Sequence, residues 1–538
     1  MTHGHSWWQT GVIYQIYPRS FLDSNGDGVG DLAGIASKLD YLHWLGVDAL
    51  WLSPIYPSPM ADFGYDISNY TDIHPLFGTL HDLDILLHEA HQRDLKVIMD
   101  FVPNHTSDEH PWFQQSRQSR TNEKRDWYIW RDPAPDGGPP NNWAGLFGGS
   151  AWQFDEQTGQ YYLHLFDIKQ PDLNWRNPAV SQAMYDVLRF WLDRGIDGFR
   201  IDVLAKLLKD EAFRDNPENP KWRPSDPPYA RQLSRYTQDL PGIHEIVRKM
   251  RTLANSYGER VLIGELYLPV ERLVQYYGEQ LDEVHLPFNF QFVTLPTWEA
   301  RAIRQAVDAY ETALPPGAWP NWVLGNHDKP RIAKRMGREQ ARTAQMLLLT
   351  LRGTPTCYYG DELGMQDVTI APELMCDPQG KDNPEHSRDP QRTPMQWDAS
   401  PNAGFCSPSV KPWLPVAPDA RTCNVAVEQG DPHSMLILIR TLLLLRRARS
   451  ALSVGEQRTL DQSNPTCLVY QRQYQDQRCL VVLNFSAEEQ MVRLPDLGQG
   501  RLLLSTHLDL EGLLSLSEVR LRGNEGLLIE MEARISGV

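Results

Sequence analysis

Eight short apolar segments recur along the chain, rich in β-branched and aromatic residues and without strict polar alternation: VIYQIYP (12–18), DALWLSP (48–54), KVIMDFV (96–102), GFRIDV (198–203), VLIGEL (261–266), the weaker EVHLPFNF (283–290), NWVLGNHD (321–328) and TPTCYYGDE (354–362). Runs of this kind suit strands buried on both faces, and the stretches between the early ones, such as LAGIASKLDYLHWLG (32–46), carry helical periodicity. Strand then helix, eight times over, predicts an α/β chain closed into a (β/α)8 TIM barrel rather than an open doubly wound sheet. The polar residues support that choice. Asp100, Asn104, His105, Arg200, Asp202, Glu265, Asn326, His327 and Asp328 fall at or just past the C-terminal ends of these segments, the face on which such barrels carry their active sites.

Three stretches interrupt the barrel, which is expected to occupy 1–103 and 175–453. Residues 104–174, rich in Trp, Asn, Gly and Pro, are too long for an ordinary loop and predict an inserted subdomain after the third strand. Prolines at 217, 220, 224, 227, 228 and 241 predict an irregular excursion over 213–241, and a Pro- and Asp-rich one runs over 365–432. From 454 to 538, short runs such as CLVYQRQY, CLVVLNF and GLLIEME, separated by turn residues, predict an antiparallel β-domain. All 17 tryptophans lie between Trp7 and Trp413, which separates a Trp-bearing catalytic part from a plain C-terminal one.

Charge and cysteine usage narrow the function classes. With 52 Lys+Arg against 69 Asp+Glu in 538 residues, the formal charge of −17 argues against nucleic acid as a partner, because phosphate neutralisation needs a basic surface. The longest apolar stretch, Met435 to Leu445, is broken by Arg440 and reads as a buried helix, not a membrane span. No basic and then apolar leader opens the sequence, so a cytoplasmic location is expected. Six cysteines without a C-x-x-C pair read as free thiols.

Two carboxylates on neighbouring strands, Asp202 and Glu265, match the need of glycoside cleavage for one group at the anomeric carbon and one that protonates the leaving oxygen. Arg200 precedes Asp202 by two residues, so both face the same way from a strand, and a cation there is expected to keep Asp202 ionised. Asp328 with His327 and Asn326, and Asp100 with Asn104 and His105, add polar clusters at the seventh and third strands.

DFVPNH (100–105), GFRID (198–202), GEL (264–266) and GNHD (325–328), in this order, resemble the four signature regions of glycoside hydrolase family 13, the α-amylase family. QPDLN (170–174), GVIYQIYPRSF (11–21) and RTPMQW (392–397) resemble its α-glucosidase and oligo-1,6-glucosidase branch. The resemblance implies Asp202 as nucleophile of a retaining displacement, Glu265 as general acid/base and Asp328 as the carboxylate that orients sugar hydroxyls. It implies that His105, His327 and Arg200 bind the glucosyl unit and that Asp62 and Tyr65 close the pocket. Arg392 is expected at the far side of the sugar, with Arg388 as second choice.

In DSNGDGVGDL (23–32), Asp23, Asn25, Asp27 and Asp31 with the Val29 carbonyl are spaced to wrap a hard cation, although an Asx-rich turn has the same composition. The resemblance implies a structural calcium or magnesium ion there and no organic cofactor. The expected activity is exo-acting hydrolysis of terminal α-glucosidic bonds in short oligosaccharides, with α-glucosyl transfer to a hydroxylated acceptor. The alternatives are a dedicated sucrose- or trehalose-directed glucosyltransferase or isomerase, and a non-catalytic sugar-binding homologue of the transporter-associated kind, disfavoured by the presence of Asp202, Glu265 and Asp328 together. Val203, next to the proposed nucleophile, is the residue type associated with α-1,6 bonds, but the following LAKLLKD departs from both groups' strings, so linkage preference stays open.

Overall fold

The computed structural model describes residues 4–224, 226–382, 384–461 and 464–531. All eight apolar segments contain strands: β1 (Ile13–Ile16), β2 (Ala49–Leu52), β3 (Lys96–Phe101), β4 (Gly198–Ile201), β5 (Val261–Gly264), β6 (Leu286–Pro287), β7 (Asn321–Val323) and β8 (Thr354–Tyr358). They form one sheet in the order β7-β8-β1-β2-β3-β4-β5-β6, every neighbouring pair parallel. This is the barrel, closed except at one seam: among the described residues no backbone ladder joins β6 to β7. The weak segment 283–290 yields only two strand residues, and its second, Pro287, has no N–H to donate.

The strands do alternate, but between two apolar surroundings. Ile13, Ala49, Trp51, Ile98, Val261, Ile263 and Val323 point into the barrel and pack together. Their neighbours Tyr14, Leu50, Leu52, Val97, Met99, Leu262 and Trp322 point outward against the helices. Both faces are dry, so the sequence reads as unbroken hydrophobicity. Counting in twos from the inward residues places Gln15 after Ile13, Asp100 after Ile98, Arg200 and Asp202 after Gly198, and Glu265 after Ile263. The polar site is thus the top layer of the barrel interior.

The insertion after β3 folds around a helix, Pro111–Gln118, and a small sheet of 130–131, 160–163 and 152–155. Trp143 and Trp152 pack with Ile129, Leu163 and Leu165, so these rings serve a local core. Lys209 ties the insertion to the barrel: its buried Nζ lies 2.6 Å from Asp172 and donates to Asn104 Oδ1 at 2.9 Å. Among the described residues, the 213–241 excursion is mostly irregular, with a 3-10 turn at Pro228–Arg231, and 365–432 holds only short helical pieces such as Pro378–Asp382 and Val425–Gly430.

The apolar stretch at 435 lies within a helix, Met435–Ala448, started by Ser434, whose side chain accepts from the Ile437 N–H. Strands 456–461, 467–474, 477–484, 526–531, 499–505 and 512–515 form the C-terminal antiparallel sheet in that spatial order. Buried Arg472 fastens this sheet to the barrel by donating to the Thr350 carbonyl, and Arg446, at the end of the preceding helix, donates to the carbonyls of Leu349 and Leu351. Cys357, Cys406, Cys423 and Cys479 are buried free thiols. Among the described residues no helix is long and apolar enough to cross a membrane.

Candidate active site

Arg200 is the hub of the upper barrel layer. Its Nη1 donates to Asp100 Oδ1 at 2.7 Å and to Asp202 Oδ1 at 2.8 Å, while Nη2 lies 2.9 Å from Glu265 Oε1 but off the hydrogen-bonding direction. One guanidinium therefore faces three carboxylates, all buried. Burial pushes the Asp202 carboxyl well above its usual range; Arg200 opposes this, and the Glu265, Asp100 and Asp328 charges reinforce it. Arg200 favours the ionised form of Asp202, but its single charge is shared with Asp100 and Glu265. Asp100 is likewise pushed up to about 6 by burial, against Arg200. Closely placed carboxyls of this kind share a proton and titrate together.

Glu265 Oε2 accepts the Val203 N–H at 2.9 Å. Val203 makes this possible by adopting φ 40° and ψ 40°, the left-handed region that a β-branched side chain rarely enters. The peptide after Asp202 thus turns back onto the carboxylate of the next strand.

His327 sits behind this layer. Tyr65 Oη donates to Asp100 Oδ2 at 3.1 Å, which leaves it to accept from His327 Nε2 at 2.7 Å; Gln15 then donates to His327 Nδ1 at 2.8 Å. The network assigns a neutral ring with its proton on Nε2. Burial agrees, pushing His327 down to about 3 and His105 to about 4.

The far end is an arginine-carboxylate lattice. Arg388 Nη2 donates to Asp62 at 2.6 Å and Asp377 at 2.5 Å, and Nη1 to Asp328 at 3.3 Å. Arg392 donates to the His327 carbonyl and to Asp328 at 2.8 Å each. For Asp328, burial would raise the carboxyl, but His327, Arg388, Arg392 and Arg200 together hold it far below the usual carboxylate range. For Asp62 burial prevails over Arg388, and the carboxyl rises to about 6.

These groups surround a cavity of about 1000 Å³ lined by Asp62, Tyr65, His105, Asp202, Glu265, Asp328 and Arg388, among others. Six of the nine expected catalytic and sugar-binding residues are on its wall. Arg200, His327 and Arg392 stand behind the wall, and Arg388, the second choice for the far side of the sugar, lines the cavity. The sequence reading did not single out Phe147, Phe166, Lys206, Gln238 and Tyr267, which also line the cavity. Tyr267 had a signal, the two-residue spacing from Glu265; the others stand on segments without a period.

The five loop residues are elsewhere. Asp23 accepts the N–H groups of Asn25, Gly26 and Gly28, Asn25 that of Asp27, and Asp27 that of Val29. Asp31 caps the helix Leu32–Ser37 through Gly34 and accepts from Ser24. Among the described residues no group of three or more His, Cys, Asp or Glu side chains is gathered to hold a metal. The donor chemistry still fits a hard cation, since a carboxylate in an Asx turn keeps free lone pairs.

A cavity at the C-terminal face of a (β/α)8 barrel, with two carboxylates converging from adjacent strands, defines a glycoside hydrolase. The chain belongs to the α-amylase family: residues 15–455 match the alpha amylase catalytic domain and residues 457–506 the maltogenic amylase C-terminal domain. It is 44% identical to an alpha-glucosidase of Apis mellifera over 90% of this chain and 86% of the relative. It is 39% identical to an oligo-1,6-glucosidase of Parageobacillus thermoglucosidasius, over 96% and 97%. Among solved structures, the alpha-glucosyl transfer enzyme XgtA matches with TM-score 0.92 and 42% identity, and the trehalulose synthase MutB with 0.90 and 35%, each over 98% of this chain and 100% of the other.

Proposed function

We propose that the protein is a retaining, exo-acting α-glucosidase of short oligosaccharides. The observation that carries this is the cavity end: Asp62, Arg388 and Asp328 close it with charged groups suited to the hydroxyls of one terminal sugar, beside the Asp202 and Glu265 pair. A retaining displacement asks for carboxyls roughly 5–5.5 Å apart, and two nitrogens of one guanidinium approaching both supports a short separation. Asp202 attacks the anomeric carbon while Glu265 gives its proton to the leaving oxygen, so the glycosidic bond breaks as the ester bond forms. Water then attacks the same carbon, Glu265 takes its proton, and Asp202 leaves with the bonding pair.

An acceptor hydroxyl in place of water gives α-glucosyl transfer. The likeness to a glucosyl transfer enzyme and a trehalulose synthase supports that second outcome. A structural calcium or magnesium ion held by Asp23, Asn25, Asp27, the Val29 carbonyl and Asp31 would brace the loop and contribute no chemistry to the reaction.

The test is initial rates on maltose, isomaltose and sucrose, with the anomer of released glucose followed by NMR and Asp202→Asn as control. The α-anomer is expected, and Asp202→Asn should lose roughly 10⁴-fold or more. A β-product, or an Asp202→Asn chain with undiminished turnover, refutes the mechanism.

A further inference from the structure

We propose that the leaving-group side of the cavity is built for an anionic substituent, a carboxylate or a phosphate, received by Lys206 and Lys329. This deepens the glucosidase reading and rests on it for the orientation of the substrate. Glu265 delivers its proton to the leaving oxygen, so the side chains around Glu265 that do not belong to the Asp62, Arg388 and Asp328 end meet the leaving group or acceptor.

Those side chains form one connected wall. Lys206 Nζ donates to Gln238 Oε1 at 3.1 Å, and Gln238 Nε2 donates to the Tyr267 carbonyl at 3.2 Å. The Tyr267 ring stacks on Phe290 at 4.2 Å, nearly parallel, and the Lys329 Nζ lies 5.3 Å from its centre. All of these except Phe290 line the cavity. Among the described residues, neither lysine has a carboxylate within ion-pair distance, whereas Asp62 and Asp328 are paired with arginines.

A neutral sugar needs only hydroxyl partners, which Gln238, Ser234 and Tyr229 on the cavity lining supply without any cation. Two ammonium groups on one wall without an ion-paired carboxylate, Lys329 over the Tyr267 ring and Lys206 beside Gln238, in a chain of formal charge −17, are matched instead by an anion on the leaving group or acceptor. Burial brings Lys206 down to about 8, so at neutral pH it remains mostly charged, and a bound anion would favour that form.

The experiment is calorimetric binding to the full-length Asp202→Asn chain, which needs no turnover. The ligands are 4-carboxyphenyl α-glucoside, 4-(phosphonooxy)phenyl α-glucoside and the neutral 4-carbamoylphenyl α-glucoside. At least one anionic ligand is expected to bind roughly tenfold more tightly than the amide, and the tighter of the two names the anion. Lys206→Gln with Lys329→Gln should bring the ratio close to one, and Lys206→Arg should preserve it. Equal affinities for all three ligands, or a preference that survives the double substitution, overturn the proposal. Anion-selective binding in a chain whose native form turns over none of maltose, isomaltose and sucrose sustains the lysine assignment and refutes the glucosidase reading; turnover of any of them with equal affinities does the reverse.

Discussion

Replacing Arg388 by methionine tests the lattice that closes the cavity. Arg388 faces Asp62, Asp377 and Asp328, and only Asp328 keeps a second arginine when it is gone. Asp62, at about 6 with Arg388 in place, must then rise further, because the burial that pushes it up is no longer opposed. At neutral pH it becomes increasingly protonated and no longer accepts as an anion from a sugar hydroxyl. A hydrogen bond to a charged partner contributes about 1.5–3 kcal/mol. At about 1.4 kcal/mol per factor of ten, kcat/KM should therefore fall roughly 10- to 150-fold at pH 7.

The pH profile separates this from simple loosening. Below about 6 Asp62 takes a proton, so the acidic limb of kcat/KM should move to higher pH in Arg388→Met, and Asp62→Asn should abolish that movement in the double variant. The linked stability has a definite sign. Asp62 is raised above an unfolded value of roughly 3.9, so the stability this group contributes is fully present below that value and lost as pH rises through about 6. An unmoved acidic limb together with kcat/KM within threefold of native would refute the assignment of Asp62 and Arg388 to the sugar pocket.

Two further outcomes follow from the fold. Lys209→Met leaves Asp172 buried without its cation, which should cost about 3–5 kcal/mol, read as a lower urea midpoint; an unchanged midpoint would refute Lys209 as the tie between insertion and barrel. Exhaustive chelation should lower the melting temperature by a few degrees and calcium or magnesium should restore it, about 2.7 kcal/mol at a hundredfold excess over Kd; an unchanged transition would remove the ion from the 23–31 loop.

The barrel was legible because its strands are dry on both faces, which leaves runs such as KVIMDFV without alternation. The catalytic layer was legible for a related reason: Asp100, Arg200, Asp202 and Glu265 continue the inward count of strands whose earlier members are apolar. β6 was faint because Pro287 cuts its ladder short, and the strands at 152–155 and 160–163 were hidden by the mixed Trp, Gln and Tyr residues of a small half-exposed sheet. The choice between Arg388 and Arg392 depends on how an irregular excursion folds back, and nothing periodic in 365–432 records that. Nor can spacing separate a cation loop from a ladder of Asx turns, since both want oxygens at alternate positions.

The left-handed backbone at Val203 sets foldability against function at one position. Glycine or asparagine would occupy φ 40° with far less strain, of order 1–3 kcal/mol for a bulky residue. Valine is therefore not there for the comfort of the main chain; its side chain lines the cavity, and its left-handed backbone presents the amide to Glu265. A glycine or asparagine there would relieve the strain and keep the amide on Glu265 but would strip the cavity wall of the valine side chain, so a more robust protein obtained at this residue would be one with an altered cavity.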